Sequence, residues 1–325
     1  MDEDQERPPR ADAFAVSSDA GVTLFEVERL RRPQNAAARK AELAAARKQQ
    51  KQQQKQQKQQ QKQQEQKQLL QRLQQAAAAA AAAAAFPPGT EIFGLAPGCL
   101  GTRVTASALT AVPKPPSISF ADAAGCPTIF CTVFLALEMA GPSTGACKSV
   151  LVHAATGGVG LAACQILGLQ GVNIFATAGS ARKRSMLRNM GISHVASSRS
   201  TEFVDVLLNT NNSPVDMVIN SLTSTGMVSA SFAALREGGG FAEISKREIW
   251  SPAAASLENP TTNYKLVAFD LQSPEVLHSK LSQLSLLLHH GTVKPIFSQR
   301  AGLIAARECM REMSGGNHIG KIILC

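Results

Sequence analysis

The feature that most constrains this chain is a junction near its middle. Residues 149–153 form a short apolar run, and Ala154-Ala155-Thr156-Gly157-Gly158-Val159-Gly160 follows without a gap. An apolar stretch then continues to about Gln170, where Gly171 supplies a helix stop. A strand that feeds through a glycine cluster into a helix admits few arrangements, most of them layered α/β folds. Glycines there let the backbone approach a pyrophosphate, whose charge is met by the helix N-terminus. The context supports dinucleotide binding over a plain structural turn. Ala155, Thr156, Gly157, Gly158, Val159 and Gly160 are the candidate lining.

Downstream, apolar runs alternate with helical patterns. Residues 172–177, 192–196, 215–222, 240–244 and 265–271 are predicted as strands, and 182–190, 202–209 and 227–236 as helices. With 149–153 this makes six strands separated by crossovers, which implies a parallel sheet wound in the right-handed sense. The expected fold class is α/β: a doubly wound, parallel-sheet Rossmann domain.

The end of the second strand bears on which dinucleotide is bound. An acidic residue about 20 positions past the glycines holds the ribose 2′-hydroxyl in NAD sites. This chain instead reads Ala178-Gly179-Ser180-Ala181-Arg182-Lys183-Arg184. Cations are disfavoured at a helix N-terminus unless an anion offsets them. A hydroxyl and cations without a carboxylate suit a 2′-phosphate. NADPH is therefore the expected cofactor, with Ser180, Lys183 and Arg184 as its candidate contacts.

The formal charge of +9 is unevenly placed: residues 1–85 hold 15 basic and 10 acidic side chains, and 86–325 hold 18 and 14. Residues 36–85 are low in complexity, with a Lys/Gln repeat followed by ten alanines from Ala76 to Ala85. Lys48, Lys51, Lys55, Lys58 and Lys62 recur at steps of three and four, along one face of a helix. Without interleaved aromatics that stripe is read as a disordered or solvated helical spacer, not as a nucleic-acid or membrane surface. Phe86-Pro87-Pro88-Gly89 ends it, because proline cannot continue a helix. Seven scattered cysteines with no CxxC read as reduced core thiols, and no metal site is expected. The acidic start fits neither a signal nor a transit peptide. The expected location is cytoplasmic. His153 reads as a strand-end residue, His289 and His290 as the end of a helix, and His318 as packing in a return strand.

Several motifs in order, HAATGGVG, ATAGSARKR, INSL (219–222), EISKREIW (243–250) and HIGKIIL (318–324), resemble the enoyl reductase domain of type I polyketide and fatty-acid synthases. That domain belongs to the medium-chain dehydrogenase/reductase superfamily. The similarity starts near Glu91, in EIFGLAPGCLGT, and runs to Cys325. It implies an NADPH-dependent oxidoreductase that saturates the α,β double bond of an enoyl thioester held on an acyl carrier protein. The family has a lysine after the fifth strand and an aspartate after the sixth as candidate proton donors. The matching positions are Lys246 and Asp270. The α-carbon needs a proton and the thioester oxygen needs its developing charge stabilised. By the same resemblance Thr132, Asn220 and Ser221 lie near the nicotinamide. Ser245 departs from the glycine common in the family.

The resemblance also implies a GroES-like β domain on the substrate side, matched here only over 86–118 and 298–325, with the Rossmann domain over 119–297 and the low-complexity region over 1–85. Other synthase modules and a second copy of the chain are candidate partners. Two alternatives remain: a quinone or enone reductase of the same superfamily, and a nucleotide-binding fragment without activity.

Overall fold

The computed structural model describes residues 86–211 and 213–325, together with positions 53–55, 57, 58 and 61, which are helical and exposed. The other expectations for residues 1–85 lie outside the described residues. The chain divides into two compact units, Met1–Arg72 and Leu73–Cys325. The second carries the fold.

An antiparallel ribbon, β1 (Ile92–Gly94) and β2 (Ala111–Pro113), comes first. Helices α1 (Phe120–Gly125) and α2 (Pro127–Met139) follow, with Ser119 capping α1 through the Asp122 N–H and Pro127 opening α2. Then come β3 (Ser149–Val152), α3 (Gly158–Leu169), β4 (Asn173–Ala178), α4 (Ala181–Asn189), β5 (His194–Ser197) and α5 (Phe203–Asn211). The second half holds β6 (Val215–Asn220), α6 (Met227–Ala233), β7 (Leu235–Glu243), α7 (Pro252–Glu258) and β8 (Asn263–Leu266). Helix α8 (Pro274–His289), β9 (Ser298–Ala301), α9 (Ala306–Gly315) and β10 (Lys321–Leu324) complete the chain.

The main sheet has the order β5-β4-β3-β6-β7-β8, and every neighbouring pair is parallel. This is the doubly wound arrangement that the alternating pattern predicts. Both faces are covered, so the strands read as apolar runs whose alternate residues serve different cores. Val150, Val152, Met217 and Ile219 join Ile129, Phe130, Leu161 and Leu281 on one face. Leu151, Val218 and Phe241 join Phe203, Leu207, Met227 and Phe232 on the other. Full burial of a large side chain contributes roughly 1.5–3 kcal/mol, so the two clusters dominate the stability of the unit.

Three boundaries differ from expectation by more than two residues, and one is the strand expected over 240–244, which starts already at Leu235. The helix expected over 227–236 ends at Ala233, because Leu235 already pairs with Val215 as the start of β7. The strand expected over 265–271 runs instead from Asn263 to Leu266 and gives way to a 3-10 turn at Phe269–Leu271. The turn is held by the Leu271 N–H on the Ala268 carbonyl.

At the amino ends of the strands, Asp216 ties three of them together. It accepts the Lys148 and Ser149 N–H groups at 2.8 and 2.9 Å, and Nε of Arg236 at 2.6 Å. Burial pushes its carboxyl up, but the Arg236 guanidinium and the two amides outweigh this and hold it below the usual carboxylate range. Strands β9 and β10 pair with each other in parallel, apart from the main sheet, and Arg300 reaches Asp122 on α1 at 2.8 Å. The helical stretch Phe120–Met139 is long and apolar enough to cross a membrane, yet 67% of that window is buried inside the fold. It is the core helix pair α1–α2.

Candidate functional site

The carboxyl ends of β3, β4, β6, β7 and β8 form one rim of the sheet, where open α/β sheets bind ligands. The glycine loop lies at the end of β3. Its backbone is folded tightly: the Gly157 N–H donates to the Ala154 carbonyl at 2.9 Å, and the Ala155 N–H to the Thr177 carbonyl at 2.8 Å. Gly157 caps α3 with an extended backbone and no side-chain bond. A Cβ on Gly160 would stand 2.5 Å from the Ala155 Cα, and one on Gly158 would stand 2.9 Å from a methyl of Ile129. Gly160 thus seats the start of α3 on the loop backbone, and Gly158 seats it against α2. Val159 is half-buried against the core, while Ala155 and Thr156 are buried. The Gly320 N–H donates to the Thr156 carbonyl at 2.8 Å and fixes the loop to the C-terminal segment. A 12-residue helix opening on such a loop can hold a pyrophosphate.

At the end of β4, Ser180 caps α4 by accepting the Lys183 N–H at 3.3 Å. The Lys183 ammonium donates to the Gly316 carbonyl at 2.8 Å. Burial lowers the Lys183 pKa, and the nearby Arg199 guanidinium lowers it further. Arg184 turns back, with Nη1 donating to the Ala178 carbonyl at 3.3 Å. Arg199, just past β5, was not singled out by sequence. Its Nε lies 3.0 Å from where a Cβ on Gly179 would be. Ser180, Lys183 and Arg199 therefore gather at one place, and two cations held together there are suited to an anion.

On the other side of the rim, Lys246 and Asp270 meet. Nζ of Lys246 donates to Oδ1 of Asp270 at 2.6 Å, with the two side chains 57% and 56% exposed. The lysine bond holds the Asp270 carboxyl below its ordinary value. Ser245 takes no left-handed backbone, so serine fits there; the left-handed residue of this loop is Glu248, at φ 49°. The Ser245 N–H donates to Oε1 of the buried Glu243 at 2.8 Å, and Oε2 accepts Nδ2 of Asn220 at 2.7 Å. Asn220 also closes its own turn through the Leu222 N–H and carbonyl. Glu243 thus braces the ends of β6 and β7, and sequence reading missed it. Ser221 is half-buried beside this turn. Thr132 is buried on α2 and spends its hydroxyl hydrogen on the Thr128 carbonyl at 2.7 Å.

With this geometry in place, the likeness to known proteins is specific. A family model described as zinc-binding dehydrogenase matches residues 190–324. Phthioceranic/hydroxyphthioceranic acid synthase of Mycobacterium tuberculosis (strain H37Rv) is 37% identical over 244 residues, 73% of this chain and 11% of the synthase. Spectinabilin polyketide synthase system protein NorB of Streptomyces orinoci is 36% identical over 242 residues, again 73% and 11%. The solved CurF ER cyclopropanase from the curacin A biosynthetic pathway superposes with a TM-score of 0.61 at 31% identity, covering 68% of this chain and 67% of that one. The chain belongs to the polyketide synthase enoyl reductase domains, within the medium-chain dehydrogenase/reductase superfamily. The CurK enoyl reductase gives a TM-score of 0.62 at 31% identity, over 67% of this chain and 66% of that one. The quinone oxidoreductase of Thermus thermophilus, at 24% identity and a TM-score of 0.61, shares the fold.

As a domain of this kind, the chain spans about a tenth of the synthases that it matches. The zinc in the family description finds no ligands here. Among the described residues, no group of three or more His, Cys, Asp or Glu can hold a metal ion. Cys126, Cys131 and Cys164 are buried, which pushes their thiols up to about 12 and leaves them inert.

Proposed function

We propose that this chain carries the cofactor-binding part of an NADPH-dependent enoyl reductase, acting on the α,β double bond of an enoyl thioester carried by an acyl carrier protein. The observation that carries the reading is the Lys246–Asp270 pair, on the same rim as the glycine loop and the Ser180–Lys183–Arg199 cluster. The loop and the α3 N-terminus would hold the pyrophosphate, and the cation cluster the 2′-phosphate. Bound NADPH supplies a hydride for the β-carbon. The chain's own task is then to place a proton and to steady charge. The Lys246 ammonium hydrogen-bonds the thioester oxygen or passes its proton to the α-carbon, and Asp270 orients it. More than half exposed, the neutral amine is reprotonated from water. In this reading Asn220, Ser221 and Thr132 would lie near the nicotinamide, Asn220 through its bond to Glu243 at the ends of β6 and β7.

Residues 86–118 and 298–325 form the substrate-side portion of this reading and 119–297 the Rossmann portion, in the cytoplasm. Among the described residues the outer edges of β5 and β8 are both unpaired, and each offers a place for a second copy. The test is NADPH oxidation by the chain with a crotonyl thioester, on a carrier protein or a small thiol, set against a simple quinone. Consumption with the thioester and double-bond saturation in the product support the reading. Turnover with the quinone alone would replace it with quinone reduction, and binding without turnover of either would make the chain a nucleotide-binding piece.

A further inference from the structure

His153 directly follows β3 and precedes the left-handed Ala154, and it is 3% exposed. The ring bridges two strand–helix units. Nδ1 lies 3.0 Å from Oγ1 of Thr177 on β4, and Nε2 lies 2.9 Å from Oγ of Ser231 on α6. The direction of these bonds follows from one further contact. Ser231 has a single hydroxyl hydrogen and gives it to the Met227 carbonyl at 2.7 Å. Its oxygen must therefore accept from Nε2–H, which leaves the lone pair on Nδ1 to accept the Thr177 hydroxyl hydrogen. Thr177 then has its oxygen lone pairs free for the Ala154 N–H, 3.3 Å away. Its carbonyl takes the next amide, that of Ala155.

Ala154 is the residue that needs this support. It stands at φ 47°, a left-handed conformation that costs any residue with a Cβ. A glycine would adopt it freely. The two amides accepted by Thr177 belong to this turn and set the direction in which the following glycines leave β3. Thr177 and Ser231 are fully buried, so no water competes for the chain of bonds.

We infer that His153 is a positioning residue for cofactor binding, which, through Thr177, clamps the strained turn at Ala154 and so holds the phosphate loop in its binding shape. The inference rests on the dinucleotide reading of that loop. Burial lowers the His153 pKa to about 3, so the neutral ring persists across the working range. The relay runs from the Met227 carbonyl on α6 to the loop, linking a helix that touches no phosphate to the one turn that must be shaped for it.

The experiment uses the full chain and NADPH titrations followed by nicotinamide fluorescence, with each variant's melting temperature measured beside them. Thr177→Val removes the hydroxyl at nearly constant shape and should weaken NADPH binding about tenfold, a single hydrogen bond's worth. Thr177→Ser should stay within about threefold. Asn at 153 offers an oxygen where Nδ1 stands, whereas Gln reaches only toward Ser231. His153→Asn should thus retain more affinity than His153→Gln. The decisive arm is Ala154→Gly, which relieves the strain: in that background Thr177→Val should lose most of its effect, a coupling that a merely structural role would not produce. Equal binding by wild type and Thr177→Val, equal losses in the two His153 variants, or no relief by Ala154→Gly would each overturn the inference. If the wild-type chain binds no NADPH, the proposed function fails on its own account. Hydrogen exchange of the 154–160 amides then still decides the clamp: faster exchange in Thr177→Val upholds it, and unchanged exchange overturns it.

Discussion

The Lys183 ammonium donates to the Gly316 carbonyl at 2.8 Å, joining the start of α4 to a turn 133 residues further along the chain. Gly316 caps α9 in a left-handed conformation at φ 62°. The cation that sequence assigns to a phosphate therefore already has a partner, a neutral carbonyl that an anion can displace. Arg199 adds the second charge at this corner and raises the cost of leaving it without an anion.

This corner should set the choice of cofactor. Lys183→Ala and Arg199→Ala are each expected to weaken NADPH binding about tenfold, the scale of one partly exposed charge-assisted contact. NADH binding should hardly move. Arg184→Ala should act less on affinity than on stability, because its guanidinium holds the Ala178 carbonyl. Fluorescence titrations with both nucleotides check this, and equal losses for NADPH and NADH would remove the 2′-phosphate from the site.

The Lys246–Asp270 pair makes a kinetic prediction. Lys246→Ala should lower turnover of an enoyl thioester by about 10²-fold or more while NADPH affinity persists. Asp270→Asn keeps the shape and should cost less. The sign of the pH effect follows from the depressed Asp270 carboxyl. The pair is intact above the ordinary carboxylate value and is lost as pH falls through the lowered one. Turnover should accordingly decline on the acid side, and Asp270→Asn should abolish that limb in a pH–rate profile.

Much of the sheet was legible in the sequence, and the reason is physical. Strands buried on both faces carry unbroken apolar runs such as Val150-Leu151-Val152, which stand out against any helix pattern. The misjudged parts are those where that signal is weak. Strand β8 is an edge, with Lys265 and Leu266 exposed, and β7 passes through Arg236-Glu237-Gly238 just after its start at Leu235, a stretch that reads as a turn. Glu243 and Arg199 escaped notice because their partners are brought close by the fold. Asn220 is 23 residues from Glu243 in sequence, and no periodicity announces such a pair.

Gly160 should tolerate no side chain. A Cβ there would lie 2.5–2.7 Å from three backbone atoms of Ala155. Backbone cannot step aside as a side-chain end can, so Gly160→Ala should cost about 1–3 kcal/mol in stability, as overpacking does. It should also weaken NADPH binding by shifting the loop. Urea unfolding and nucleotide titration on the same sample test both.

Asp216 should mark the acid limit of the fold. Its carboxyl is held below the ordinary carboxylate value in the folded state. Its contribution is therefore fully present above that ordinary value and is lost as pH falls through the lowered one. Asp216→Asn should destabilise the chain by about 2 kcal/mol near neutrality, since Arg236 and two amides lose their charged acceptor. The loss should shrink as pH drops. Thermal melts across the acid range would show the wild-type and variant curves converging, and parallel curves would mean that Asp216 carries no such linkage.

The surroundings of the site should govern association and turnover together. The ribbon β1–β2 and the pair β9–β10 are each two-stranded, and among the described residues neither joins a larger sheet. Around them Phe297, Leu303 and Ile304 are exposed, Ile304 completely so. The solved CurF relative has about a third of its chain outside the match. Exposed apolar groups of this size favour association. The 325-residue chain alone should therefore bind NADPH yet turn over enoyl thioesters slowly, and it should associate as concentration rises. Sedimentation measurements read the second effect, and Phe297→Ser with Ile304→Lys should reduce it without touching NADPH affinity. Fusing the substrate-side β segment of a related enoyl reductase ahead of Glu91 should suppress association and raise turnover together. Rapid turnover by the unfused, monomeric chain would show instead that the rim described here completes the substrate site unaided.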